Sequence, residues 1–368
     1  MSAVATSRMR YALVGDGESP HLLKWARALA PLVDVWVCSS RGFSPELAAL
    51  VPAEKRLALN TSPVHGGGNA ALLKQLPAVG GWLQEVDADW INPHYLTSHG
   101  TLVLLVKKIW RLRARVLASA WGSDILVTPH RHAVYRWITQ AIVRHADLCT
   151  SDSQHVTAVM QRMGARQVLT FPFGLDALPP PPAQPKEPWL FYANRGLEPI
   201  YQPLRVLEFF AAMAHGQPQA QLVVANTGSQ LGAMQEWVAR KGFEKRVQFV
   251  GRLPATDQAQ WYDQAQWYIS LPQSDAVAVS VLEAMAHGCI PLLGDLPANR
   301  ELVQDQINGW IVPDTLQGDA LQQQAEATLP ALLARAAAIA THNREWVRQH
   351  GLFAPSVQNL VRTLQAFR

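Results

Sequence analysis

The sequence is short of charge, of cysteine and of long apolar runs, and each shortage closes off a class of protein. Only 16% of the 368 residues are charged, against about 25% in an average soluble domain, so long solvated arms are excluded and nearly the whole chain is expected to fold. No stretch approaches the roughly 18 to 20 uninterrupted apolar residues of a membrane span, and residues 1–10 hold no apolar signal core. A cytoplasmic chain is the expectation. Cys38, Cys149 and Cys289 are an odd, widely spaced set without C-x-x-C, which supports neither a disulfide framework nor a zinc site. Nor does G-x-G-x-x-G follow the first expected strand, and no acidic residue completes such a fingerprint, so a dinucleotide enzyme is disfavoured.

What is present is a chain long enough for two domains at roughly 150 residues each. In both halves short β-branched runs alternate with segments of helical period, which predicts an α/β fold built on parallel sheets. The strands expected in the first half are 11–14, 35–38, 90–93, 115–119, 147–150 and 168–171. Those of the second half are 189–193, 221–225, 247–250, 267–271 and 290–293. Between the halves, Pro179-Pro180-Pro181-Pro182-Ala183-Gln184-Pro185 is too rich in proline for helix or central strand and reads as a semi-rigid linker. Two Rossmann-like domains are expected, the first over 1–178 and the second from 179.

The charge is unevenly shared. Residues 1–178 carry eighteen basic and twelve acidic side chains, a net of +6, whereas 179–368 is net −2. Residues 101–145 hold Lys107, Lys108, Arg111, Arg113, Arg115, Arg131, Arg136 and Arg144 against Asp124 alone. With Trp110, Tyr135 and Trp137 among them, this mixture suits an anionic membrane surface or a phosphate-bearing substrate. A solvated basic helix face is the plainer alternative. Nucleic acid is disfavoured as a partner, because no recognition helix, zinc finger or RNA-binding signature accompanies the patch.

Ligands of open parallel sheets bind beyond the carboxyl ends of the strands, so the expected site is a central cleft that the two domains face. The first strand is followed by Gly15-Asp16-Gly17-Glu18-Ser19-Pro20, with Ser19 a good N-cap and Pro20 a good first-turn residue. That puts Asp16, Gly17 and His21 on the cleft side. The sharpest segment runs S-D-A-V-A-V-S-V-L-E-A-M-A-H-G from Ser274 to Gly288. It follows a strand, opens a helix near Val279 and has Gly288 as a C-cap. Asp275 falls in the loop, and Glu283 lies about a turn into the helix among apolar neighbours, where a carboxylate needs partners such as ligand hydroxyls. Amides around Val277, Ala278, Val279 and Ser280 suit a diphosphate. The segment reads as sugar-nucleotide recognition.

It also resembles the Glu-x7-Glu signature, with L-E-A-M-A-x-G, of the retaining GT-B glycosyltransferases of family 4, Asp275 and Glu283 standing at the two acidic positions. Other pieces follow in family order. Asn92-Pro93-His94-Tyr95 resembles the strand-end histidine motif, Trp121-Gly122-Ser123-Asp124 the H-G-S-D segment, and Ser153-Gln154 with Phe173-Gly174-Leu175-Asp176 the motifs that end the first domain. Asn194-Arg195-Gly196-Leu197 resembles the arginine loop, Gly251-Arg252-Leu253-Pro254 the base-binding turn, and Glu301 with Asn308-Gly309 the closing motif.

The resemblance implies GT-B architecture, with an acceptor domain over 1–178, a nucleotide-sugar donor domain over 179–345 and a helix over 346–368 that packs back on the first. It implies metal-independent transfer of a hexosyl or N-acetylhexosaminyl group, with retention, to a carbohydrate or lipid-linked hydroxyl in polysaccharide, lipopolysaccharide or glycolipid synthesis. No cofactor beyond the nucleotide sugar is called for. Arg195 and the amides from Val277 to Ser280 would stabilise charge on the leaving diphosphate, Glu283 would bind ribose, and Arg252 and Leu253 would line the base. Asp275 would hold the donor sugar, His94 would sit near the reacting centre, and Asp16, Gly17, His21, Tyr95 and Asp124 would line the acceptor side.

The sequence departs from the family pattern where Tyr201 and Gln202 stand in place of a clamp lysine, where Ala276-Val277-Ala278 lacks glycine, and where Trp121 replaces histidine. A sugar-nucleotide hydrolase or epimerase, and a non-catalytic sugar-nucleotide binder, therefore stay open beside a transferase. Asp87-Ala88-Asp89 precedes a strand and reads as a surface turn, not a metal motif. His94 with His99, and His130 with His132, lack carboxylate or thiolate company, so no metal is expected. His65-Gly66-Gly67-Gly68-Asn69 reads as a connector, with an acceptor-lining loop as the alternative.

Overall fold

The computed structural model describes residues 8–61 and 70–367. They divide into two compact units: the residues up to Phe171 with those from Phe353 form one, and Pro172–Leu352 the other.

The first unit holds β1 (Arg10–Gly15), β2 (Asp34–Ser39), β3 (Arg56–Ala58), β4 (Trp90–Pro93), β5 (Arg115–Ser119), β6 (Leu148–Ser151) and β7 (Val168–Thr170). They pair in parallel in the order β3-β2-β1-β4-β5-β6-β7. Tyr11, Ala12, Leu13 and Val14 of β1 are all buried, as a strand covered on both faces requires. The connections leave β1 in opposite directions, to β2 and to β4, so their carboxyl ends flank the switch point at which such sheets bind ligands. The helix Pro20–Leu29 starts there. Ser19 accepts from the His21 amide at 3.2 Å, Pro20 occupies the first turn, and Leu22, Trp25, Ala26 and Leu29 form the buried face. The terminal helix Phe353–Ala366 belongs to this unit. Its Phe353 meets Trp25 edge-on at 5.2 Å, and Arg115 donates to the Phe367 carbonyl.

The second unit holds β8 (Glu187–Ala193), β9 (Gln221–Ala225), β10 (Val247–Gly251), β11 (Ala265–Ser270), β12 (Ile290–Gly294) and β13 (Trp310–Val312), parallel in the order β10-β9-β8-β11-β12-β13. Successive residues of a strand face opposite sides, and here that alternation sorts the aromatics. Phe191 and Trp267 stack at 5.8 Å in one core, with Trp310. Their neighbours Tyr192 and Tyr268 turn to the other core, with Tyr262, Met285 and the helix Val279–Ala286. The phenols thereby meet the segment that carries Glu283.

β3 and β13, three residues each, are not anticipated by the sequence patterns, and β11 begins at Ala265, two residues before the expected strand. Residues 179–185 form neither helix nor strand. All three cysteines are buried free thiols. Among the described residues no helix is long and apolar enough to cross a membrane.

Candidate functional site

In the second unit the site is assembled at the carboxyl ends of β8 and β11. Asn194-Arg195-Gly196 leaves β8, and Arg195 turns toward the loop after β11. Its Nη2 donates to Asp275 Oδ2 at 2.5 Å and its Nη1 to Ser280 Oγ at 3.2 Å. The guanidinium also lies 4.6 Å over the ring of Tyr201. Gly196 makes room for that ring, since a β-carbon there would sit 3.2 Å from Tyr201 Cε2. Tyr201, at the position where the sequence pattern has a lysine, is therefore the face on which Arg195 rests.

Asp275 accepts from its neighbour's amide, Ala276 N, at 3.0 Å. Burial raises its carboxyl above the ordinary value, with Arg195 opposing. Burial works against the Arg195 charge, but Asp275 and the nearby tyrosines hold the guanidinium above its usual range. Removing either partner would strand the other charge in a poorly hydrated place.

The helix Val279–Ala286 begins directly after this loop. Ala278 is its N-cap and supplies no side-chain cap. Val277 and Ala278 are buried against the tyrosine-lined core, while Val279, Ser280 and Glu283 are half-buried. Tyr262 donates to Glu283 Oε2 at 3.0 Å. Gly288 closes the helix at φ +78°, a conformation that favours glycine. Leu253 packs on the same core as a half-buried side chain, and its carbonyl accepts from Gln258 Nε2 at 3.1 Å, whereas Arg252 is exposed. Arg195, Asp275, Ser280 and Glu283 thus come together in one domain, with the Arg252–Leu253 turn joined to them through Gln258, which accepts from Asn194 at 2.7 Å.

In the first unit His94, Tyr95 and Asp124 gather around Trp121 at the ends of β4 and β5. Asn92 donates through Nδ2 to Leu117 O and Ser119 Oγ, which turns its Oδ1 toward Nε2 of His94 at 3.0 Å. Trp121 Nε1 donates to the other ring nitrogen at 3.3 Å. Since Nδ1 accepts, Nε2 carries the proton and the imidazole is neutral. Burial first, then His99 and His21, pushes its pKa down to about 3. The His94 ring is thus held at both nitrogens, and His99 Nδ1 meets the His94 carbonyl at 2.8 Å.

Tyr95 follows at φ +63°, a strained conformation for an aromatic residue, and opens a π-helical turn, Tyr95–Gly100. Its ring stacks on Trp121 at 5.8 Å, and His21 lies 4.6 Å from the same indole. Asp124 is buried and accepts from Leu96 N and Trp121 N at 2.9 Å each. Burial pushes it up to about 6 despite those bonds. On the β2 side, Asp16 pairs with Arg41 at 3.3 Å and Gly17 donates to Ser39 Oγ at 2.8 Å. A β-carbon on Gly17 would meet the Gly42 carbonyl at 2.5 Å, so that approach needs glycine.

The glycine loop 65–69 lies outside the described residues. Asp87 is the C-cap of the helix Leu76–Val86, and Asp89 Oδ2 accepts from Arg10 N at 2.8 Å. Among the described residues no three His, Cys, Asp or Glu side chains gather as a metal site. Sequence reasoning missed Trp121 as an anchor and Tyr262 and Tyr268 as partners of the site. No motif marks the two tyrosines, and the Trp121-Gly122-Ser123-Asp124 segment does not disclose the anchoring, because these roles come from tertiary contacts.

With this geometry in view, two family models match the chain. Residues 10–153 match the glycosyl transferase 4-like model, and residues 177–330 match the model of glycosyl transferases group 1. No curated protein matches the sequence. Among solved structures, sucrose-phosphate synthase from Thermosynechococcus elongatus is 18% identical, with a TM-score of 0.78 over 98% of this chain and 100% of that one. HepE from Anabaena, solved with UDP and glucose, is 16% identical, with a TM-score of 0.76 over 97% and 100%. The pneumococcal O-GlcNAc transferase GtfA, solved with UDP and GlcNAc, is 10% identical, with a TM-score of 0.77 over 98% and 99%. The likeness is one of fold: two parallel-sheet α/β domains of the GT-B type.

Proposed function

The chain joins a glycosyl transferase 4-like domain to a glycosyl transferases group 1 domain, and from that premise we propose that it moves a hexosyl or N-acetylhexosaminyl group from a nucleoside-diphosphate sugar to a hydroxyl acceptor, with retention of configuration. The observation that carries the reading is the meeting of Arg195, Asp275 and Glu283 around one loop and one helix N-terminus. A leaving diphosphate needs cationic and amide donors fixed before charge develops; Arg195 and the first turn of the helix Val279–Ala286 would supply them. Glu283 would accept from ribose hydroxyls and Asp275 from hydroxyls of the donor sugar. The reading calls for no metal and no cofactor besides the donor. HepE and GtfA were solved with UDP, which makes uridine the first base to test.

The neutral His94 ring is a poor base, so its part would be to hold the chain at Tyr95 and the Trp121 wall in place for the acceptor, leaving positioning as the main contribution to rate. The basic helix faces of the first domain favour a carbohydrate or lipid-linked acceptor at an anionic membrane, within polysaccharide, lipopolysaccharide or glycolipid synthesis. The test is a thermal-shift screen of uridine, guanosine and adenosine diphosphate sugars, followed by transfer assays. One base should stabilise the protein, and Glu283→Ala should shrink that shift, with binding about tenfold or more weaker, and lower turnover with it. Binding and turnover within a few-fold of wild type in Glu283→Ala would overturn the assignment.

A further inference from the structure

We infer that Tyr262 is a positioning residue for Glu283, a phenol whose hydroxyl is oriented by Asn194 and Tyr268 so that it aims the carboxylate at the donor's ribose. This rests on the ribose role proposed above for Glu283 and names a residue on which that role depends.

Tyr268 OH donates to Asn194 Oδ1 at 2.8 Å, which fixes the orientation of the Asn194 amide. Asn194 Nδ2 must then donate, and it does so to Tyr262 OH at 2.8 Å and Gln258 Oε1 at 2.7 Å. Having accepted from Asn194, the Tyr262 hydroxyl has its own proton left to give. Glu283 Oε2 at 3.0 Å is nearer than the Ser280 carbonyl at 3.2 Å, and its charge makes it the stronger acceptor. Burial holds the phenol well above its ordinary pKa, so the proton stays on oxygen.

Tyr262 is itself immobilised. It is 2% exposed, with the His287 ring stacked on it at 5.4 Å and Tyr192 edge-on at 5.0 Å. Asn194 is the residue before Arg195, so one network ties the arginine loop to the helix that bears Glu283. A long side chain on a helix otherwise samples several rotamers, and a fixed partner removes that freedom before the ligand arrives.

The test compares wild type, Tyr262→Phe, Glu283→Ala and the double variant. Calorimetry measures affinity for whichever of UDP, GDP and ADP binds wild type tightest, and for its 2′,3′-dideoxy counterpart. Wild type should prefer the ribose form by about tenfold or more. Tyr262→Phe should cut that preference to about threefold or less while binding the dideoxy form within about twofold of wild type, and adding it to Glu283→Ala should change nothing further. A merely structural phenol would weaken both nucleotides in parallel; that outcome, or an unchanged preference, overturns the inference. Tyr268→Phe, which leaves Tyr262 and Glu283 intact but releases the Asn194 amide, should lower the preference in the same direction by less. The underlying reading fails differently: if Glu283→Ala keeps the ribose preference, or none of the three diphosphates binds, the role of Glu283 falls and the inference with it. If Glu283→Ala loses the preference and Tyr262→Phe keeps it, the inference alone falls.

Discussion

Arg195 and Asp275, eighty residues apart in sequence, form a largely buried ion pair with Nη2 and Oδ2 2.5 Å apart. Two groups that would serve different parts of a nucleotide sugar thus engage each other directly. A diphosphate arriving at Arg195 must share the guanidinium with Asp275 or take it over, and like charges so placed oppose each other.

Asp275→Asn should therefore separate binding from turnover. Losing the competing carboxylate is expected to tighten UDP about three- to tenfold, the scale of one charge pair about 4 Å apart screened as in water. Transfer should fall by about a hundredfold, as is usual when a group aligning the substrate is removed. Calorimetry with UDP and initial rates with the active sugar nucleotide check the two halves; UDP affinity unchanged or weakened would show that the pair does not compete with the diphosphate.

The ring of Tyr201 beneath Arg195 makes a second prediction. Cation–π contact is worth about 0.5–2 kcal/mol depending on exposure, so Tyr201→Ala should weaken UDP binding by roughly two- to thirtyfold, and Tyr201→Phe should stay close to wild type. Gly196→Ala should act like Tyr201→Ala, because the added β-carbon would press on the ring from 3.2 Å. If Tyr201→Phe is as weak as Tyr201→Ala, the hydroxyl rather than the ring face is what matters.

These contacts mark how far the sequence could be read. The long β-branched runs were legible as strands because both faces of each are buried, and Asp275, Glu283 and the helix between them were legible because loop, helix and C-cap chemistry agree locally. β3 and β13 were not, since three residues at a sheet edge carry too little periodicity to stand out. The direction of the His94 ring was hidden as well: it depends on Asn92, whose amide is oriented by β5, and on Trp121 twenty-seven residues away. Tyr262 and Tyr268 lie sixty-eight and seventy-four residues from Asn194, and nothing in their own segments sets them apart from ordinary core tyrosines.

Asp124 gives the first domain a pH signature. Burial lifts its folded pKa to about 6 from 3.8, so the stability tied to its protonated form is complete below about pH 4 and is lost as pH rises through 6. At 1.36 kcal/mol per unit, the change across that window is at most about 3 kcal/mol. The stability of wild type relative to Asp124→Asn should accordingly shrink between pH 4.5 and pH 7. Melting temperatures of both proteins across that range provide the check, and a difference that is flat or grows with pH contradicts the assignment.

The helix Ala133–His145 supplies the last prediction. It buries Thr139, Ile142 and Val143 but leaves Val134 at 63% and Trp137 at 69% exposure, three residues apart and so on one face. Arg131 and Arg136 are exposed beside them. An apolar pair with basic neighbours matches an anionic interface, where each basic residue contributes about 1 kcal/mol and the attraction decays within a Debye length. The protein should sediment with phosphatidylglycerol vesicles at about 50 mM salt and be released at about 500 mM, while phosphatidylcholine vesicles retain little. Arg131→Glu with Arg136→Glu should abolish binding, and Trp137→Ala should weaken it several-fold even at low salt, because the indole is lost while the charge is kept. Equal partitioning to both vesicles, or binding indifferent to salt, would leave this helix as a solvated face and move the acceptor away from the membrane.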